Sequence, residues 1–368
     1  FEAIYASDRL QQPRIKESGE WRELDWEDAL EAAANALKAA DGIGMLASPS
    51  STVEEGHLLS KLASHLGTSN IDHRVERRDF SDQDNDPAYP HLGCSIADLE
   101  KQDAIFVIGS NIRQEAPILA HRIRKAALAG ASVSFANSEQ QEYFFDVDQF
   151  LSGGGLVELL SGSGVDAIIE KLKKADNALV LLGNIAGRHK AFSTVRSLAA
   201  DIAKKGGAKL GTLSPGANSA GLCQAGVLPQ GGAHAGQMLD DPLDTVCLLN
   251  IEPDNDLHAC EDAVARLASK KCVVAMTPFV SAALLEAADL LLPVGSFAET
   301  SGTYVNIEGT WQSFGGVASP VGESRPAWKV LRVLGNLLDA EGFDYVTSED
   351  VLDECRAQIG DVAVEPFS

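Results

Sequence analysis

Short runs of aliphatic and β-branched residues recur along the chain, and between them apolar residues return every third or fourth position. The runs are GMLAS at 44–48, AIFVIGS at 104–110, SVSFAN at 132–137 and ALVLLGN at 178–184, then KLGTLS, TVCLLNI, CVVAMTP and DLLLPV. Their near-continuous apolarity predicts strands buried on both faces. Alternation with helical stretches predicts parallel sheets covered by helices, an α/β fold. The helices carry their own end signals. Asp25 caps a helix with Ala29, Leu30, Ala33 and Leu37 on one face. Thr52 and Glu55 have capping-box spacing ahead of Leu58, Leu59, Leu62 and Leu66, and Gly67 stops that helix. Pro117 starts a third, with Leu119, Ile123, Ala126 and Ala127 inward and Gly130 beyond its end. LSGGGLVELLSGSG and LPQGGAHAG each read as a linker or a surface excursion.

At 368 residues the chain suits two α/β domains or one large one. Its net charge of −23 comes without any block of Lys or Arg, which argues against nucleic acid and against bare anionic membrane as partners. No apolar run approaches the ~20 residues that span a bilayer, so direct membrane insertion is not expected. The opening FEAIYASDRLQQPRIKE has no signal-peptide layout and no initiating Met, and reads as part of a longer chain. The cysteines at 94, 223, 247, 260, 272 and 355 are too widely spaced for an iron–sulfur cluster or a zinc site held by this chain alone, and Cys247 and Cys272 fall in predicted core strands.

Few motifs carry chemistry. Gly42, Gly44 and Ala47 fit a dinucleotide fingerprint, but the glycines precede their strand instead of following it, so they read as the start of a strand. FVIGSN at 106–111 is better placed. Its glycine ends a strand just before a helix, which fits either a phosphate held by the backbone N–H groups of Gly109, Ser110 and Asn111 or a simple tight turn. His57 and His65 share a helix face about 12 Å apart, too far for one metal, and read as surface or packing histidines. His189 and His234 have no partner visible in sequence. GxSxG, HExxH and P-loop patterns do not occur.

The segment 287–338 resembles the molybdopterin oxidoreductase pattern in which AD-x-LP precedes E-x-x-GT-x-x-N-x-EGR-x-Q and G-x-A-x-x-x-W. The matching residues are Ala288, Asp289, Leu292, Pro293, Glu299, Gly302, Thr303, Asn306, Glu308, Gly309, Gln312, Gly322 and Trp328. RLQQP, DWEDAL, GTSNID, SIADLEKQDAIFVIGSN, APILAHRIRKA and GANSAGLCQAGVLP resemble further blocks in the family's order. Within the family, DRLQQPRIKESGEWRELDW and NIDHRVERRDFSDQ are similar to the large peripheral-arm subunits of NADH–quinone oxidoreductases (respiratory complex I). The resemblance implies a formate dehydrogenase/DMSO reductase-like fold of two Rossmann-like parallel-sheet domains, one inserted in the other. The expected limits are a leading segment 1–24, an outer domain 25–72 plus 236–345, an inserted domain 73–235, and a C-terminal helix and tail 346–368.

What the resemblance implies for chemistry is mostly loss. Active members hold molybdenum or tungsten through Cys, selenocysteine, Ser or Asp shortly after the N-x-D element. The matching window, HRVERRDF at 73–80, has no Cys and offers Asp79 alone, beside Arg77 and Arg78 that suit it to an ion pair. Cys94 lies too far downstream. Asn250 stands where the family's second nucleotide-contacting turn has glycine, and its Cβ is expected to obstruct a ligand. Thr310 replaces the arginine of EGR, and the family's C-terminal barrel has no counterpart within these residues. Expected, therefore, are no catalytic residue, no metal, a molybdopterin site lost with Gly109, Ser110 and Asn111 as its vestige, and iron–sulfur clusters only in a region outside this sequence. Other peripheral-arm subunits would be the partners, on the inner face of the plasma membrane. Two other readings stay open: an active molybdenum or tungsten oxidoreductase such as a formate dehydrogenase α chain, and a scaffold binding a nucleotide-like ligand.

Overall fold

The computed structural model describes residues 2–360. In chain order its strands are β1 (Arg14–Glu17), β2 (Glu20–Glu23), β3 (Ile43–Ala47), β4 (Ile71–Asp72), β5 (Ala104–Ile108), β6 (Ser132–Ala136), β7 (Gln149–Leu151), β8 (Ala178–Leu182), β9 (Lys209–Thr212), β10 (Thr245–Leu249), β11 (Cys272–Thr277), β12 (Leu290–Pro293), β13 (Gly302–Val305) and β14 (Trp311–Phe314). They divide between two compact units. The first runs from the start of the described chain to Glu76, then Gly216–Val305, then Trp311 to the end of the described chain. The second is Arg77–Pro215 with the short segment Asn306–Thr310.

In the first unit the sheet order is β2-β1-β12-β11-β10-β3-β4. The strands from β12 to β4 run parallel, while β1 and β2 are antiparallel additions at one edge. β3 and β10 are buried along their full length, as their unbroken apolarity requires. Helix Trp26–Lys38 packs Ala29, Leu30, Ala33 and Leu37 inward from its Asp25 cap. Helix Val53–His65 has the capping box of Thr52 and Glu55. Its far face meets helix Ser348–Ile359, where Glu354 accepts from Lys61 at 2.7 Å and lies 3.2 Å from His57 Nε2. The expected leading segment supplies β1 and β2 to this unit's sheet, and a piece of the expected inserted domain, 216–235, joins the unit too. The expected tail over 346–368 is helical at Ser348–Ile359 and ends outside the described residues.

The second unit's parallel sheet has the order β7-β6-β5-β8-β9. One face packs Ile105, Val107, Val133 and Leu181 against helix Pro117–Leu128; the other packs Phe106, Val180 and Leu182 against helices Gly164–Lys174 and Phe192–Gly206. LSGGGLVELLSGSG is no linker. Its centre forms helix Leu156–Ser161, with Leu156 and Leu160 in the core.

β9 lies against the loop before β5 at a position only glycine tolerates. A Cβ on Gly211 would stand 2.0 Å from the carbonyl oxygen of Leu92. Gly211→Ala is therefore expected to cost about 1–3 kcal/mol of stability. The readout is a lower urea midpoint at unchanged slope. An unchanged midpoint would mean that the Leu92 loop yields freely.

Candidate functional site

Open parallel sheets bind ligands beyond the carboxyl ends of their strands, where neighbouring connections leave in opposite directions. In the second unit that point lies between β5 and β8, because β6 and β7 extend to one side and β9 to the other. Gly109, Ser110 and Asn111 follow β5 directly, and Gly183 and Asn184 follow β8. Gly109 takes a left-handed φ of 61°. The two turns touch: Ala186 N–H donates to Gly109 O at 3.0 Å, and a Cβ on Gly183 would come within 2.5 Å of that same oxygen. These glycines serve the approach of one turn to the other.

The donors of the turn are engaged. Ser110 N–H donates to Asn137 Oδ1 at 2.8 Å, and Asn137 Nδ2 returns a bond to Ser110 O at 3.0 Å. The Glu115 carboxylate collects the rest, taking Ser110 Oγ at 2.9 Å, Asn111 N–H at 2.8 Å and Asn184 N–H at 3.0 Å. Gly109 N–H is spent on Ala136 O. The three residues singled out in the sequence are thus together at the switch point, but with no N–H directed at an outside ligand. A nucleotide phosphate of a pterin cofactor does not fit this turn as it stands. Glu115 and Asn137 were not found in the sequence reading. The one available signal was a carboxylate four residues beyond Asn111, just ahead of Pro117.

Asp79 has another job as well. Its Oδ1 accepts from Ser81 N–H at 3.0 Å and Ser81 Oγ at 2.6 Å; its Oδ2 accepts from Ser193 N–H at 2.9 Å and Ser193 Oγ at 2.6 Å. Partial burial alone would raise its pKa, but the bonds from Ser193 and Ser81 outweigh that and hold it well below the usual carboxylate range. It fastens the first turn of helix Phe192–Gly206 instead of pairing with its arginine neighbour. Arg77 donates to the backbone oxygen of Asp79 at 2.7 Å and forms ion pairs with Asp82 at 3.0 Å and Asp86 at 2.5 Å. Arg196 joins both aspartates. Among the described residues, no group of three or more His, Cys, Asp or Glu side chains is placed to hold a metal.

The first unit's switch point falls between β3 and β10. Asn250, after β10, has φ 55°. Asparagine is among the few residues besides glycine that tolerate this left-handed conformation. Its side chain turns inward, donating to Ser51 Oγ at 3.2 Å and to Glu55 Oε2 at 3.3 Å. Glu55 also accepts from Thr52 N–H at 3.0 Å. Burial pushes its pKa up to about 7, opposed by the Thr52 bonds and reinforced by the charge of Glu54. Glu54 in turn accepts both the N–H and the hydroxyl of Thr303, at 2.8 and 2.7 Å.

Several of the family-like residues of 287–338 hold the framework together. Arg9 of RLQQP meets Glu299 at 2.6 Å with both side chains fully buried. Asn306 Oδ1 accepts from the N–H groups of Glu308 and Thr310, each at 2.9 Å, shaping the β13–β14 turn, and Gly309 takes φ 82° there. Glu308 Oε1 accepts from Ile96 N–H at 2.5 Å. His57, His65, His189 and His234 serve packing and capping, as in His65 Nε2 against Leu338 O at 3.0 Å and Gln237 N–H donating to His234 Nδ1 at 3.3 Å. Cys247 is sealed in β10, where burial pushes its thiol up to about 12. Gly44 and Ala47 lie within β3, as a strand reading requires.

The chain matches the pattern of the molybdopterin oxidoreductase family over residues 9–337 and belongs to that family. It is similar to the F420-dependent formate dehydrogenase subunit alpha of Methanocaldococcus jannaschii, 25% identical across 97% of this chain and 66% of that protein. It is equally similar to an NADH-quinone oxidoreductase subunit of Shewanella oneidensis, 26% identical across 96% of this chain and 45% of that one. The mitochondrial NADH-ubiquinone oxidoreductase 78 kDa subunit of Candida albicans is 25% identical across 96% and 48%. The chain therefore spans about half to two thirds of the length of these relatives. Its fold is also that of a chain in the formyltransferase/hydrolase complex of Methylorubrum extorquens, at TM-score 0.62 and 18% identity over 89% of this chain and 99% of that one. Acetylene hydratase from Pelobacter acetylenicus follows at TM-score 0.56 and 13% identity, over 92% of this chain and 62% of that one.

Proposed function

We propose that this chain is the molybdopterin-oxidoreductase-like part of a large NADH–quinone oxidoreductase subunit, and that it braces neighbouring subunits without performing chemistry itself. The observation that carries this reading is the engagement of Asp79, whose two oxygens take four hydrogen bonds from Ser81 and Ser193. Asp79 is the residue of the 73–80 window suited to molybdenum, and a metal there would have to displace those bonds. Similarity to NADH-quinone oxidoreductase subunits of Shewanella oneidensis and Rickettsia felis supports the assignment. In this reading electrons cross iron–sulfur clusters held outside this sequence, and the partners are other peripheral-arm subunits at the inner face of the membrane. None of the described helices is long and apolar enough to cross one.

A second reading, an active molybdenum or tungsten oxidoreductase, is favoured by the formate dehydrogenase alpha chains, which match at the same level of identity. Elemental analysis of the purified protein for molybdenum, tungsten and iron, with fluorescence detection of oxidised pterin, separates the two. Our reading expects neither molybdenum nor tungsten and no pterin. Either metal in amounts equal to the protein, together with pterin, would overturn it and make Asp79 the first residue to mutate.

A further inference from the structure

Glu115 stands at the place where an open parallel sheet ordinarily receives the phosphate of a nucleotide. Its carboxylate spans the two loops that define the crevice, taking Asn111 N–H from the turn after β5 and Asn184 N–H from the turn after β8. The Ser110 hydroxyl completes the set. Two backbone N–H groups and a hydroxyl converging on one anion at strand ends are the donor set by which such turns hold phosphate. The neighbouring cation, Arg113, is directed elsewhere, donating from Nη1 to Glu142 O at 2.7 Å. The carboxylate is only partly buried, so this anion site lies within reach of solvent. Glu55, at the other unit's switch point, differs in being a sealed capping-box residue.

We propose that the Glu115 carboxylate is a built-in anion filling the phosphate position between β5 and β8, so that this crevice accepts a phosphate group only once that carboxylate is taken away. The site keeps its donors and has exchanged an outside ligand for a side chain supplied five residues after Ser110. Such a tethered anion stands at an effective concentration that free ligand in solution does not match. The crevice is thereby self-satisfied, and the donors that would have bound a nucleotide now fix the helix start before Pro117.

The proposal builds on the non-catalytic reading, but its test is separate. Molybdenum and pterin content decides that reading, whereas the change in phosphate affinity on removing Glu115 decides the proposal. The full chain and its Glu115→Ala variant are titrated calorimetrically with inorganic pyrophosphate at matched ionic strength. Thermal unfolding is followed over the same concentrations. The wild-type chain is expected to show no specific binding. Glu115→Ala is expected to bind roughly tenfold or more tighter than wild type, and to gain melting temperature as pyrophosphate is added. If Glu115→Ala does not fold, Glu115→Ser, which likewise takes the carboxylate out of the crevice, is titrated instead with the same direction expected. Wild-type binding as tight as the variant's would overturn the proposal. So would a folded variant that gains no affinity.

Discussion

Replacing Glu299 with alanine is expected to cost about 3–5 kcal/mol of stability, because it strands the Arg9 guanidinium in a site from which water is excluded. Both side chains are 0% exposed, and the Glu299 carboxylate answers more than the arginine. It also accepts from Ser296 N–H at 2.7 Å and Val321 N–H at 2.9 Å, so its loss opens three donors at once. Arg9 itself is fixed from three sides, by Glu299, by Pro278 O at 3.1 Å and by Ile4 O. Urea denaturation gives the number directly. A companion Arg9→Met/Glu299→Leu double variant is expected to recover much of the loss, since two buried charges cost more to desolvate than an apolar pair. A Glu299→Ala loss under about 1 kcal/mol would instead place the pair in the range of solvated surface bridges.

A comparable effect is expected from Glu55, with the opposite sign and a pH dependence. Its folded pKa of about 7 lies above the ordinary 4.5, so the native state holds a proton that the unfolded chain releases. Stability from this group is complete below pH 4.5 and is lost as the pH rises through 7. At about 1.4 kcal/mol per pKa unit, the full loss approaches roughly 3 kcal/mol by about pH 8. Glu55→Gln is neutral at every pH and removes that slope. The variant should exceed wild type in stability at about pH 8, and the difference should close as the pH falls towards about 5. Parallel urea midpoints for the two proteins across roughly pH 5–8 would rule out a buried, titrating Glu55.

The parts of the fold legible in the sequence are those that water decides. AIFVIGS, ALVLLGN and TVCLLNI became β5, β8 and β10 because strands covered on both faces leave no room for polar residues. β1 and β2 were invisible because RIKE and EWRE are rich in charge. What makes them strands is backbone pairing of Arg14 and Ile15 with Leu291 and Leu290, which leaves no trace in side-chain pattern. Glycines around Leu156 suggested a linker, yet two leucines a helical turn apart sufficed to seat a short helix on the core.

For the site the limit was different. Which residues reach the switch point was readable from FVIGSN, since a strand end and a following helix are local features. That its donors are already used was not. Glu115 takes one of its bonds from Asn184, 69 residues away. Asp79 is anchored by Ser193 at a separation of 114. Neighbouring arginines argued for an ion pair, and only the folded chain brings the serines in. Asn250 likewise hides a backbone angle that side-chain identity alone does not reveal.

The interleaving of the two units has a consequence for synthesis on the ribosome. The second unit's sheet is drawn from one unbroken stretch of chain, Arg77–Pro215. In the first unit, Ile43 of β3 pairs with Thr245 of β10, about two hundred residues later. At roughly 5–20 residues per second, the β10 side of β3 therefore stays unpaired for about 10–40 s after β3 is made. Through that interval the apolar run Ile43–Ala47 and the inward face of helix Val53–His65 lack most of their sheet, while β5 to β9 complete theirs. Chaperone demand during translation should accordingly centre on the stretch that ends at Glu76, and slowing elongation should lengthen its exposure in proportion.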